Sequence, residues 1–456
     1  MIADIRTGCG LGLLAWLGIC LPQAASGEPA KAYGLTSRPA AKPYLLLPET
    51  ASGSLPALLS QTGAFNNTRD LIPSESLIPY DLNVAFWSDG ASKSRWISIP
   101  SGPTNAQITF SPTGEWNFPN GTVLVKHFEI ATNEERPDLK RRLETRFIVR
   151  EASGKVYGAT YKWRADNSDA DLLASNLSET LLITTTTGTR TQNWYYPSRQ
   201  DCRTCHTDTA GGVLGLKTRQ LNRDFTYPNG TTDNQLRAWN HVGLFRPEPS
   251  EADLAHYARL APANDATRTL EDRARSYLDA NCAHCHRPGG TVLDFDTRYD
   301  TPLEKQKLVD GPVLLDEGLD RARIIAPNDI WRSIAFLRVS ATDALKMPPL
   351  AHEKLDREAV TLLRQWIESL PGPRVLPPPA FSRPGGNYRD PIEVALSHPE
   401  PGAVIHFTTD GSAPTSSDPP YEKPLKLSEP TVLRAKAFKP GFTRSITVQQ
   451  VFVIGE

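Results

Sequence analysis

Tyr277-Leu278-Asp279-Ala280-Asn281-Cys282-Ala283-His284-Cys285-His286 is the stretch on which the reading of the chain depends. Two cysteines three positions apart, with a histidine directly after the second, form the C-x-x-C-H pattern of covalent haem attachment. The spacing follows from the chemistry: two thiols add across the vinyl groups of one porphyrin edge, and the adjoining imidazole faces the iron as axial ligand. Cys202-Arg203-Thr204-Cys205-His206 repeats the pattern. Of the six cysteines, Cys9 and Cys20 fall in an expected signal peptide, so the other four all belong to the two motifs. Cys202, Cys205, Cys282 and Cys285 are therefore expected to hold two c-type haems (iron), with His206 and His286 on the metals. A zinc site fits less well, because its second C-x-x-C pair usually lies within roughly 15–20 residues. Two redox dithiols would leave both following histidines without a reason.

Working outward, Leu270, Ala274, Tyr277 and Leu278 recur at helical spacing and run into Cys282, with Thr269 and Asp272 as a capping pair. Arg287-Pro288-Gly289-Gly290 turns the chain away. Met347, the only methionine besides Met1, stands on the proline-stiffened run Lys346-Met347-Pro348-Pro349, which suits a fixed thioether ligand to the second iron. Val360, Leu363, Ile367 and Leu370 form a further helical stripe ended by Pro371-Gly372. Residues 263–370 thus read as a small, mainly helical domain around one porphyrin.

The first haem segment, 199–262, carries Gly211-Gly212, Gly215 and a predicted helix from Thr232 to His241. With Met347 used by the second iron, His241 is the expected second ligand of the first. His127, His256 and an open position are the alternatives. His127 sits in a strand, where packing is the commoner role.

At the start, Met1 to about Ser26 reads as a secretory signal: Arg6, an apolar run from Cys9 to Leu21, then Ala24, Ala25 and Ser26. Export agrees with c-type haem attachment outside the bacterial cytoplasm, and the expected location is periplasmic. A lipoprotein anchor is disfavoured by Ile19 before Cys20. Residues 27–75 are an extension with a short helix, Leu55 to Gln61. Runs rich in Val, Ile, Thr and aromatics, Lys93–Ile99, Thr122–Ile130, Glu144–Arg150, Lys155–Arg164 and Glu179–Thr187, predict a β-sandwich-like domain over 76–198. Thr145, Phe147 and Val149 alternate with Glu144, Arg146 and Arg150, so one face is expected to be buried. Beyond a proline-rich linker, 371–384, strands return over 385–456. The fold class expected is multidomain α+β. Lys+Arg (50) balance Asp+Glu (51), which leaves no basic footprint for nucleic acid, and no apolar stretch after the signal suits a membrane span.

Residues 265–370 resemble a class I cytochrome c domain, in which the C-x-x-C-H histidine and a later Met-Pro-Pro methionine are the axial pair; Cys282, Cys285, His286 and Met347 match it. Across roughly 55–370, Leu77-Ile78-Pro79-Tyr80-Asp81-Leu82-Asn83, Phe86-Trp87-Ser88-Asp89-Gly90, Asp201-Cys202 and Gly211-Gly212-Val213-Leu214-Gly215-Leu216 are similar to a group of exported bacterial di-haem proteins. That resemblance implies a periplasmic redox partner, such as a quinoprotein sugar dehydrogenase. Ile405-His406-Phe407-Thr408-Thr409-Asp410-Gly411-Ser412-Ala413-Pro414-Thr415 resembles the immunoglobulin-like module at the C-terminus of chitobiases and hexosaminidases.

The expected function is electron transfer by an exported di-haem cytochrome, from the first haem to the Met347 haem, since His/Met ligation raises the potential of the second. The alternatives are a di-haem peroxidase with an open first iron, and a chain whose 76–198 region holds a substrate or a dehydrogenase.

Overall fold

The computed structural model describes residues 32–102, 106–291 and 294–455. The chain divides into two units, Met1–Ala32 and Tyr33–Glu456; the fold below is that of the second. The expected signal peptide lies outside the described residues.

Six antiparallel strands, Ile78–Pro79, Ser92–Ser98, Val123–Ala131, Lys140–Arg150, Val156–Trp163 and Ala170–Leu172, lie side by side in chain order. Their register puts Trp96 opposite Val125, Val125 opposite Phe147 and Phe147 opposite Ala159. Because side chains alternate across a strand, these residues share one face, which buries Val123, Val149, Tyr157 and Tyr161 against Leu59 and Phe65. The other face is also covered. Leu124 and Ile97 there pack with Leu216, Leu221, Trp239 and Phe245 from the following segment. The hairpin Leu177–Thr185 with Gly188–Tyr196 folds over the sheet through Phe128, Leu181 and Trp194. The region is therefore one six-stranded sheet with an added hairpin, where two matched sheets of a sandwich were expected.

The mainly helical domain expected over 263–370 is not found. Its helices are Leu270–Asn281, Ile334–Val339 and Arg357–Ser369, joined by long irregular stretches. Lys307, Asp310, Glu317, Arg321 and Asn328 all take positive φ between them, a conformation that stops a right-handed helix. Across the described residues, twenty-two strands stand against seven α-helices, several of only four to seven residues. What the segment does hold is one core, in which Tyr277, Leu278, Ile324, Phe336, Leu363 and Trp366 meet. Thr269 caps the first of these helices, its hydroxyl accepting from the Asp272 amide at 3.1 Å.

From Gly386 the chain forms a four-stranded sheet, in the order Gly386–Tyr388, Val448–Ile454, Thr431–Phe438, Val404–Thr408, with two flanking strand pairs. Val394, Leu433, Ala435 and Phe452 fill its core. Asp320 ties this module to the preceding segment through Lys436 (3.4 Å) and Arg444 (3.3 Å), and its neighbour Arg332 donates to the Arg444 carbonyl at 3.1 Å.

Candidate functional site: two clefts at the C-x-x-C-H motifs

The short helix Arg199–Cys205 carries the first motif. Ser198 and Asp201 cap it reciprocally, the Asp201 amide donating to the Ser198 hydroxyl at 3.2 Å and the Ser198 amide to the Asp201 carboxylate at 2.8 Å. The helix lies on the sheet at Gly158. A Cβ there would stand 2.7 Å from the Cβ of Cys202 and meet its sulfur as well, so Gly158 is what lets the motif sit down. Gly158→Ala should destabilise the protein by about 1–3 kcal/mol, read as a lowered midpoint in urea unfolding.

Cys202, Cys205 and His206 line a cleft of about 1240 Å³, open mouth included, between this helix and the sheet. Its floor is the second face of the sheet: Lys93 and Arg95, then Leu124, Lys126 and Phe128, then Arg146 and Ile148. The His206 ring bonds through Nδ1 to the Gly212 carbonyl at 2.7 Å. A ring that donates from Nδ1 keeps the Nε2 lone pair for a metal. Burial, the largest influence on this imidazole, pulls its pKa down to about 3 and so keeps it neutral.

The helix Leu270–Asn281 delivers the second motif to a cleft of about 980 Å³ lined by Leu278, Cys282, His286, Phe295, Ile324, Arg338 and Met347. His286 stacks on Phe295 at 4.4 Å, and its buried Nδ1 has no hydrogen-bond partner among the described residues. The Met347 loop is pinned by its own backbone: its amide donates to the Arg338 carbonyl at 2.9 Å, and its carbonyl meets His352 Nδ1 at 2.8 Å. Cys282, His286 and Met347 are thus brought to one cleft.

The two motifs touch. Cys205 and Cys285 lie close enough for each thiol to act on the other, which draws the Cys285 thiol down and pushes the Cys205 thiol up. The Cys285 sulfur lies 3.9 Å from the Thr204 carbonyl. Around them Arg287 donates to Glu115 at 2.8 Å and to the Thr209 carbonyl at 3.4 Å. Deeper, the fully buried Asp279 accepts from Lys217 at 2.8 Å and from both prongs of Arg219 at 2.8 and 3.2 Å. This ion cluster fixes the segment after the first motif to the helix before the second.

His241 is not brought to either cleft. It is exposed and stacks on Tyr33 at 3.5 Å. His256 is exposed as well. His127 lies on the far face of the sheet, with Nδ1 2.9 Å from the Thr145 hydroxyl and its ring against Trp163. Sequence reasoning passed over His284, the variable residue inside the second motif: it is 8 % exposed, meets Phe86 edge to face at 5.5 Å and lines the first cleft. Among the described residues no set of three or more His, Cys, Asp or Glu side chains converges on a metal-ion site. The first cleft offers instead two thiols and an imidazole, and the second one thiol, an imidazole and a thioether, with Cys285 outside its lining.

In comparison with known proteins, residues 383–449 match the chitobiase/β-hexosaminidase C-terminal domain family, and the sheet found over that stretch is immunoglobulin-like. The match leaves both clefts outside it. No curated protein and no solved structure matches the chain. Among the described residues no helix is long and apolar enough to cross a membrane.

Proposed function

We propose that the chain is an exported di-haem c-type cytochrome that carries electrons, taking them from a periplasmic dehydrogenase and passing them from the first motif to the second. The observation that carries this reading is that each C-x-x-C-H motif stands on the wall of its own cleft while Cys205 and Cys285 meet between them. An iron porphyrin, when bound, supplies reversible one-electron exchange.

The residues of the chain do the rest. Cys202 with Cys205, and Cys282 with Cys285, anchor one edge of each group. The Gly212 carbonyl aims His206, and Phe295 fixes the ring plane of His286. Met347 offers sulfur in the second cleft only. Tyr80, Leu82 and Val84 give the first cleft an apolar wall, and Leu278, Ile324 and Val339 the second.

For the second ligand of the first iron, the imidazole within the cleft is that of His284. His284→Ala is expected to convert the first haem from low to high spin in the ferric visible and EPR spectra, and His241→Ala to leave both spectra as they are. A high-spin first haem in the unmodified protein, with peroxide turnover, would favour the peroxidase reading instead.

A further inference from the structure

The floor of the first cleft carries more positive charge than the protein neutralises. Arg95 is directly opposite Lys126, and Lys126 directly opposite Arg146, so three cations form one row across three adjacent strands. Like charges placed directly opposite destabilise a sheet. The two outer members have acids of their own: Arg95 meets Asp81 at 2.7 Å, and Arg146 grips Glu144 with both prongs at 2.5 and 2.7 Å.

The central one does not. Lys126 has neither an ion-pair partner nor a hydrogen bond among the described residues; the Phe128 ring lies 5.8 Å away, and Glu144, already gripped by Arg146, acts on it only at longer range. Lys93, next to the row, donates to the Phe86 carbonyl at 2.6 Å and likewise forms no ion pair among the described residues, Asp89 acting on it only at longer range. Burial together with Arg95 and Arg146 lowers the Lys126 ammonium to about 7, which agrees with a charge left unanswered. A desolvated ammonium without a counter-ion is costly, and the cost is removed when an anion is bound against it.

We infer that Lys93 and Lys126 bind the carboxylate edge of the group anchored by Cys202 and Cys205, the two propionates of the porphyrin, while Arg95 and Arg146 hold the flanks of that anionic edge. The inference rests on the di-haem reading and adds to it the orientation of the first porphyrin: thioether edge toward the helix Arg199–Cys205, acid edge toward the centre of the sheet. A separate small carboxylate or oxyanion would present the same chemistry, and the experiment must tell the two sources apart.

The test uses mature protein purified with both haems attached, in three forms: unmodified, Lys93→Gln/Lys126→Gln, and Lys126→Arg. With the lysines neutralised, the propionates stand uncompensated beside the first iron and favour its ferric state. At the unmodified protein's first midpoint potential, the ferrous to ferric ratio of that haem should fall on the order of tenfold, the effect of about one unit charge near 10 Å at an effective dielectric of about 20. Carboxylate bands in the redox-difference infrared spectrum should shift with it. The second haem should not move, and Lys126→Arg should behave as the unmodified protein does. An unchanged first potential and unchanged carboxylate bands in the double variant would overturn the inference. So would a first haem that responds to added oxalate or phosphate only when the lysines are present, with no difference between the proteins in anion-free buffer, since the row would then hold a separate anion. Fewer than two covalent haems on the unmodified protein is a different result, and it counts against the di-haem reading itself.

Discussion

Met347→Ala should lower the potential of the haem proposed at Cys282 and Cys285 by on the order of 0.1 V or more, within the roughly 0.8 V span that axial ligands command, and should turn that haem high spin while the one proposed at Cys202 and Cys205 keeps its spectrum. The size follows from what the substitution removes. Met347 is the one thioether in the cleft that holds Cys282 and His286, and a sulfur ligand favours ferrous iron. Its loop does not depend on the side chain, because the Arg338 carbonyl and the His352 ring hold the Met347 backbone. The variant therefore changes the ligand and little else. A potentiometric titration that finds the second potential unmoved would remove Met347 from the iron, and with it the direction of electron flow proposed above.

Asp279→Ala should cost about 3 kcal/mol, the lower end for a broken buried ion pair, because Lys217 keeps Glu115 and Arg219 keeps Asp300. Lys217 and Arg219 are both enclosed and both converge on this carboxylate, which is itself fully buried. These cations, Lys217 foremost, outweigh the burial that opposes them and hold the Asp279 carboxyl well below its ordinary value of 3.8. A carboxyl with a depressed folded pKa contributes in full above the unfolded value, and the contribution is lost as pH falls below it toward the folded one. Urea unfolding between pH 2 and 6 should therefore show a steep acid loss in the unmodified protein and a flatter curve, lower at pH 6, for the variant. Equal midpoints for the two proteins at pH 6 would deny the cluster its role in holding the two motif segments together.

Much of this architecture can be read from local pattern. The five strands predicted between Lys93 and Thr187 are present with their ends moved by a few residues, as are the C-terminal strands Val404–Thr408 and Thr431–Phe438. Thr145, Phe147 and Val149 point to a buried face, as their alternation implies. What alternation cannot say is where the polar face looks. Glu144 and Arg146 read as solvent-facing, yet Glu144 is fully buried and Arg146 lines the first cleft. Ile148, the apolar exception on that face, is explained by the same cleft.

The outward position of His241 has a similar cause. His241 has apolar neighbours in sequence, Trp239 and Val242, but on a helix these turn into the core while His241 turns out. His284 was hidden because the pattern treats it as a spacer, and only long-range packing shows which cleft it reaches. The helical content of 263–370 was over-read from its two periodic ends. The middle is full of turns whose left-handed residues, Asp310 and Asn328 among them, leave no hydrophobic period to contradict a helix. The contact of Cys205 with Cys285 joins residues far apart in sequence, which spacing within either motif does not encode.

On the proposed reading, four sulfurs anchor two porphyrins, one at each motif. Intact-mass measurement of protein produced in a host competent for cytochrome c maturation, denatured and washed with acid acetone, tests it directly. The account predicts a mass increase of two haems, with peptide mapping placing one on Cys202 and Cys205 and the other on Cys282 and Cys285. A chain of unmodified mass after the signal is accounted for, with four titratable thiols or with Cys205 joined to Cys285 as a disulfide, would contradict it.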